Sequence, residues 1–227
     1  MREVSANYSA VANAEQVSKV LRNTYALLGM TLLFSAAMAG VSMAINLGYG
    51  AGMVCSLLAL ALIWFVIPRT ANSAAGLGVV FAFTGLLGLS LGPVLNHYLN
   101  MANGGAIVMQ ALGGTALVFF ALSAYVLTTK KDFSFMGGFL AVGMIVALVG
   151  IIGSMIAGFF FGVDISGFSL AMSGLIVLLM SGFILYHTSE IINGGETNYI
   201  LATVGLYLSI YNLFTSLLHI LGAMGDE

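Results

Sequence analysis

Seven apolar runs, each roughly 20 residues long and each closed by a short polar separator, fill the chain from about residue 23 to the C-terminus. A run of that length crosses about 30 Å of hydrocarbon when helical. Lipid offers no partner to a free backbone N–H or C=O, so a spanning segment must satisfy its own hydrogen bonds, and continuous runs this long do so as helices. They read at about 23–46, 51–67, 74–95, 106–127, 137–161, 167–189 and 199–222. The separators are NLGYG, PRTANS, NHYLNMANGG, TTKKDFSF, GVDISG and NGGETN, rich in the Gly, Asn and Ser that turns require. The second run is the shortest and is expected to end at Pro68-Arg69. The fold class is therefore an all-α membrane protein, a seven-transmembrane helix bundle.

Composition excludes other classes. Only 6% of the 227 residues are charged, whereas a soluble domain carries about a quarter. Net charge is -2 without a basic tract, so nucleic acid has no electrostatic footprint here. Cys55 lies inside an apolar run with no second thiol for a disulfide or a metal, and reads as a small packing residue. The stretch before the first run lacks the short apolar core and small-residue cleavage site of a signal peptide and is expected to be retained.

Lysine and arginine set the orientation. Arg2, Lys19 and Arg22 precede the first run, Arg69 follows the second, and Lys130 and Lys131 follow the fourth. With seven crossings all six fall on one side, which predicts a cytoplasmic N-terminus and a C-terminus on the outer side. The domain reading is a cytoplasmic tail over 1–22, a transmembrane domain over 23–222 and a short C-terminal tail over 223–227.

Close packing of small residues must help helices associate in lipid. Run three carries Thr84, Gly88, Gly92 and Asn96 at four-residue spacing. Run five carries Gly143, Ala147, Gly150, Ser154 and Gly158, and run one carries Ala36, Gly40 and Ala44. All three rows read as packing faces. Pro93 lies close to the end of run three and is expected to stop that helix. In run seven, Gly205, Ser209, Asn212, Ser216 and His219 are spaced 4, 3, 4 and 3, so they share one helical face. A polar stripe of that kind faces the bundle interior, for interhelical hydrogen bonds or as a lining for water and ions.

Enzyme chemistry finds little to work with. Gly88-Leu89-Ser90-Leu91-Gly92 matches the nucleophile-elbow spacing, but that motif needs a strand-to-helix turn to expose its serine. His187 and Glu190 share a face, yet a metal needs three or four ligands and only Glu196 is near in sequence. No Asp, Glu, Lys or Arg falls near the centre of a run, where energy-coupled pumps keep them. Neither enzyme activity, metal nor cofactor is expected. Glu196 follows Gly-Gly just ahead of the seventh run, close to a capping position, where a carboxylate is stabilising for structural reasons.

The segment from Ser181 to Leu221 resembles the C-terminal signature of the Bax inhibitor family, the transmembrane Bax-inhibitor-motif proteins. It does so through Gly194-Gly195-Glu196-Thr197-Asn198-Tyr199, Ala202-Thr203, Leu206-Tyr207-Leu208 and Tyr211-Asn212-Leu213-Phe214. KVLRNTY from Lys19, AFTG from Ala82, ALGGTALVFF from Ala111 and SAYVLTTKKDFSF from Ser123 look like its proteobacterial YccA-like branch. The resemblance runs over most of the chain.

It implies a seven-helix bundle in the bacterial inner membrane with two candidate functions. One is a multi-pass modulator, as substrate and inhibitor, of the ATP-dependent membrane protease FtsH in quality control. Its partners would be the FtsH-type protease complex and the lipid bilayer. The other is a pH-sensitive leak for calcium or protons, in which two aspartates on spans six and seven share a proton. Carried over residue by residue, those aspartates fall at His187 and Ser209. A His-Ser pair cannot share a proton as two carboxylates do, although an imidazole titrates near neutral pH by itself. The candidate latch or gate is therefore His187, Ser209 and Glu190, and the polar stripe beyond it is Asn212, Ser216 and His219.

Overall fold

The computed structural model describes the backbone of residues 2–225 and the side chains from residue 14 onward. Among these residues all regular structure is helical, and seven helices are long and apolar enough to cross a membrane. They are α1 (Arg2–Ala44, apolar over Ala14–Ala44), α2 (Tyr49–Thr70), α3 (Ala75–Leu99), α4 (Gly104–Thr129), α5 (Met136–Phe161), α6 (Ser166–Ile192) and α7 (Tyr199–Gly225). The 1–22 stretch read as a tail is helical from Arg2 and continuous with the first span. Met1 and the final Asp226 and Glu227 of the predicted C-terminal tail lie outside the described residues.

Both prolines sit inside helices: the second helix closes at Thr70, one residue past the Pro68-Arg69 end expected for it, while α3 runs six residues beyond Pro93 and corrects the stop predicted there. A proline removes its own N–H and crowds the carbonyl four residues back. At Pro68 the helix widens. Leu62–Val66 forms a π turn, and the N–H of Ile67 bonds the carbonyl of Leu62 five residues back. The chain then makes a last turn over Ile67–Thr70. At Pro93 a neighbouring helix supplies the remedy. The freed carbonyl is that of Leu89, and the hydroxyl of Ser42 on α1 donates to it at 2.7 Å. Serine side chains commonly repair such gaps within membranes. α3 therefore runs on to Leu99.

Two packing units emerge. The first comprises Met1–His97 and Glu190–Tyr207. Here the glycines of α3 receive α1. A side chain at Gly88 would strike the Ser35 carbonyl and Met38, and one at Gly92 would overlap Ser42. On α1 the packed face is Thr31, Ser35, Ala39 and Ser42, all buried. The row Ala36, Gly40 and Ala44 does not pack as predicted, since Ala36 and Ala44 are exposed and nothing approaches Gly40. Tyr207 of α7 is the largest wholly buried side chain among the described residues. Its hydroxyl lies 2.6 Å from the Ser35 hydroxyl and donates to the Thr84 carbonyl at 3.4 Å, and its ring meets Phe83 edge-on at 5.8 Å.

The second unit comprises Tyr98–Ser189 and Leu208–Glu227. α5 and α6 interlock by placing large side chains over glycines. Leu179 covers Gly143, Met172 covers Gly150, Leu140 covers Gly182 and Tyr186 covers Gly137. The small row of α5 is thus a packing face, with Ala147 1% exposed at its middle. Elsewhere in this unit the Tyr98 ring covers Gly222. Large apolar side chains such as Phe159, Phe160 and Phe161 remain exposed, as lipid-facing surface requires.

Candidate functional site

The charged stretch ahead of α7 folds as a closed turn within the first unit. Gly194 takes a left-handed φ of 76°, a conformation glycine adopts without Cβ strain. The N–H groups of Gly195 and Glu196 then return to the Glu190 carbonyl at 2.9 and 3.0 Å, satisfying an otherwise free helix end. The Glu190 carboxylate lies directly over Gly195.

The N-cap of α7 is Asn198, and Glu196 braces it. Asn198 Oδ1 accepts from the N–H of Ile200 at 2.9 Å and of Leu201 at 3.3 Å. Its own N–H donates to Glu196 Oε1 at 2.7 Å. Its Nδ2 reaches the turn between α2 and α3, donating to the Ala71 carbonyl at 3.1 Å and to Asn72 Oδ1 at 2.8 Å. Asn198 thus ties two turns together around a cleft of about 410 Å³ lined by Asn72, Ser73, Leu77, Thr197 and Tyr199 among others. The structural role foreseen for Glu196 is present, one step removed from the cap itself.

The three candidate latch residues fall in different surroundings. His187 is half-buried, its ring stacked on Phe183 at 5.7 Å and edge-on to Tyr186 at 5.3 Å. Ser209 is 2% exposed. His187 and Ser209 belong to the second unit and Glu190 to the first. Beside His187, Thr188 is wholly buried, and its hydroxyl has no hydrogen-bond partner among the described residues.

The polar stripe of α7 is covered throughout, with Ser209 and Ser216 buried and Asn212 and His219 half-buried. Asn212 Nδ2 donates to the Leu208 carbonyl at 2.9 Å. His219 Nδ1 lies 2.7 Å from the Ser173 hydroxyl of α6, which also donates to the Ser169 carbonyl at 3.0 Å. Ser90 sits on an unbroken helix and donates to the Leu87 carbonyl at 2.8 Å, an environment unlike a nucleophile elbow. Among the described residues no three His, Cys, Asp or Glu are grouped to hold a metal ion.

Two positioning residues escaped the sequence reading, Asn198 and Ser189. An asparagine just ahead of an apolar run is a legible cap signal. Ser189 carries none, yet it is wholly buried and its hydroxyl accepts the Phe133 N–H at 2.8 Å, fixing the turn between α4 and α5.

The family described as "Inhibitor of apoptosis-promoting Bax1" matches residues 17–226. An uncharacterised protein of Pseudomonas aeruginosa is 51% identical over 219 residues, covering 96% of each chain. The Escherichia coli K12 protein named "Modulator of FtsH protease YccA" is 52% identical over 204 residues, 90% of each chain. Its counterpart in Escherichia coli O6:H1, named "Inner membrane protein YccA", matches with the same identity and coverage.

Proposed function

We propose, from the premise that this chain belongs to the family of inhibitors of apoptosis-promoting Bax1, that it is a non-enzymatic modulator of an FtsH-type protease in a bacterial inner membrane. The observation that carries this is the likeness to the Escherichia coli modulator over 90% of both chains. Seven helices fit to cross a bilayer make the membrane its working environment. In this reading the N-terminus is cytoplasmic and the C-terminus periplasmic, which the one-sided distribution of Lys and Arg supports. The N-terminal segment from Met1 to about Lys19 is then the handle presented to the protease. Residues 2–16 precede the family match, so the handle is also where this chain has room to differ. Co-purification from mild detergent at native expression tests the reading, with a chain lacking residues 2–16 as comparison. Recovery of the protease with the full chain and its loss on truncation are expected. No protease recovered with the full chain would sink the proposal.

A second reading is a pH-responsive cation leak, for calcium or protons, gated at His187 with Ser209 and Glu190. The observation favouring it is Thr188, a buried hydroxyl beside His187 without a protein partner among the described residues. Such groups are usually satisfied by water, and water beside an imidazole is what a proton-sensitive gate needs. The hydrogen bonds of Asn212 and His219 favour packing for the rest of the stripe.

A further inference from the structure

We infer that the turn Lys130–Phe135, with Tyr125 before it, is a binding surface for the headgroup of an anionic phospholipid. It joins α4 to α5 at the end of two spans, within one packing unit. Three features meet there.

The first is an aromatic row where the two spans end. Tyr125 and Phe133 lie 6.2 Å apart, and Phe133 stacks on Phe135 at 6.4 Å with 28° between planes. Phe135 is 79% exposed and Phe139, one turn into α5, is 72% exposed. The exposed Tyr125 is of the amphipathic kind enriched where hydrocarbon meets headgroups, and the phenylalanines extend apolar surface from it.

The second is charge held against that row. Lys131 Nζ sits 3.1 Å from the Tyr125 hydroxyl and 5.7 Å over its ring, so the ammonium is fixed against the aromatic row. Lys130 occupies the left-handed C-cap of α4, φ 52°. A lysine at an anionic surface strengthens association roughly fivefold.

The third is rigidity. The buried Ser189 accepts the Phe133 N–H. Asp132 is engaged by donors of its own turn, the N–H and hydroxyl of Ser134. Asp132 is as exposed as the two lysines, its carboxylate paired with Ser134, so Lys130, Lys131 and Asp132 together give the turn a net charge of +1. An occupant must offer negative charge beside acyl chains, and an anionic phospholipid does both.

The test uses the full chain in bilayers of phosphatidylcholine with a minority of phosphatidylglycerol, reading the enrichment of spin-labelled phosphatidylglycerol at the protein surface. The Lys130→Gln/Lys131→Gln pair should lower that enrichment about threefold or more, while Arg69→Gln, a cation of the other packing unit, should lower it less. Ser189→Ala, which frees the turn but keeps both lysines, should give an intermediate value. Enrichment unchanged in the lysine pair overturns the inference, as does an equal loss in Arg69→Gln. If the pair does not fold, a salt series on the unaltered protein decides. Enrichment must fall as salt screens the lysines, and enrichment indifferent to salt also overturns it.

Discussion

The Ser42 hydroxyl takes up the Leu89 carbonyl at 2.7 Å, the acceptor whose helical donor Pro93 removes. α1 and α3 are thereby joined through a defect in one of them. Ser42→Ala leaves that carbonyl without a partner in a dry interior and should cost about 1 kcal/mol, within the range of interhelical hydrogen bonds in membranes. Pro93→Ala restores the N–H. In that background the cost of Ser42→Ala should fall toward zero. Unfolding free energies in mild detergent complete the cycle, and additive values would reject the coupling.

Asn198 caps α7 through Oδ1 and ties the α2–α3 turn through Nδ2. Asn198→Ala removes both roles and should cost about 1–2 kcal/mol, the upper part of the range for a lost N-cap. Asn198→Asp keeps the cap acceptor but sets a carboxylate against the Ala71 carbonyl and Asn72 Oδ1. If the tie matters, the aspartate variant is also less stable than the unaltered protein. Thermal unfolding of an aspartate variant indistinguishable from it would assign Asn198 to capping alone.

Asp132, in the turn outside the spans, is held below the ordinary carboxylate value of 3.8. The largest cause is the Ser134 hydroxyl, followed by the Ser134 N–H, with a smaller contribution from Ser189. A depressed folded pKa means a contribution to stability present above the unfolded value and lost as pH falls through the folded one. The turn should therefore loosen only in acid below the usual carboxylate range. A carbon-13 titration of the Asp132 carboxyl should show a midpoint below 3.8. Ser134→Ala should move it upward more than Ser189→Ala does, and the reverse order would contradict the assigned cause.

The spans were legible because length and apolarity are local properties, and a 20-residue apolar run has few other fates. The glycine faces of α3 and α5 were legible from four-residue spacing. The face of α1 was not. Ala36-Gly40-Ala44 and Thr31-Ser35-Ser42 are both rows of small residues, and helix crossing decides which is used. The prolines announced a missing N–H but not its remedy, since Ser42 lies 47 positions from Leu89. The Asn198 tie to Ala71 spans 127 positions and leaves no periodic trace. The candidate latch was proposed only from resemblance, and its members belong to different packing units, His187 and Ser209 to one and Glu190 to the other.

The polar stripe of α7 poses a choice between packing and conduction, and Ser173 with His219 offers the means to make it. Their 2.7 Å contact joins α6 to α7 within one unit. If it is a packing bond, Ser173→Ala and His219→Ala should each destabilise the protein. Their coupling should be about 0.6–1.7 kcal/mol, and the double variant should cost less than the sum. Calcium and proton flux into liposomes, followed between about pH 6 and 8 where an ordinary imidazole titrates, should be the same with either variant. His187→Ala serves as the contrast, since the leak reading requires it to change the pH profile of any protein-dependent flux. A profile altered by Ser173→Ala, with stability intact, would move the conducting path onto the stripe. A profile altered by His187→Ala alone would leave the stripe as packing and put the gate at the C-terminal end of α6.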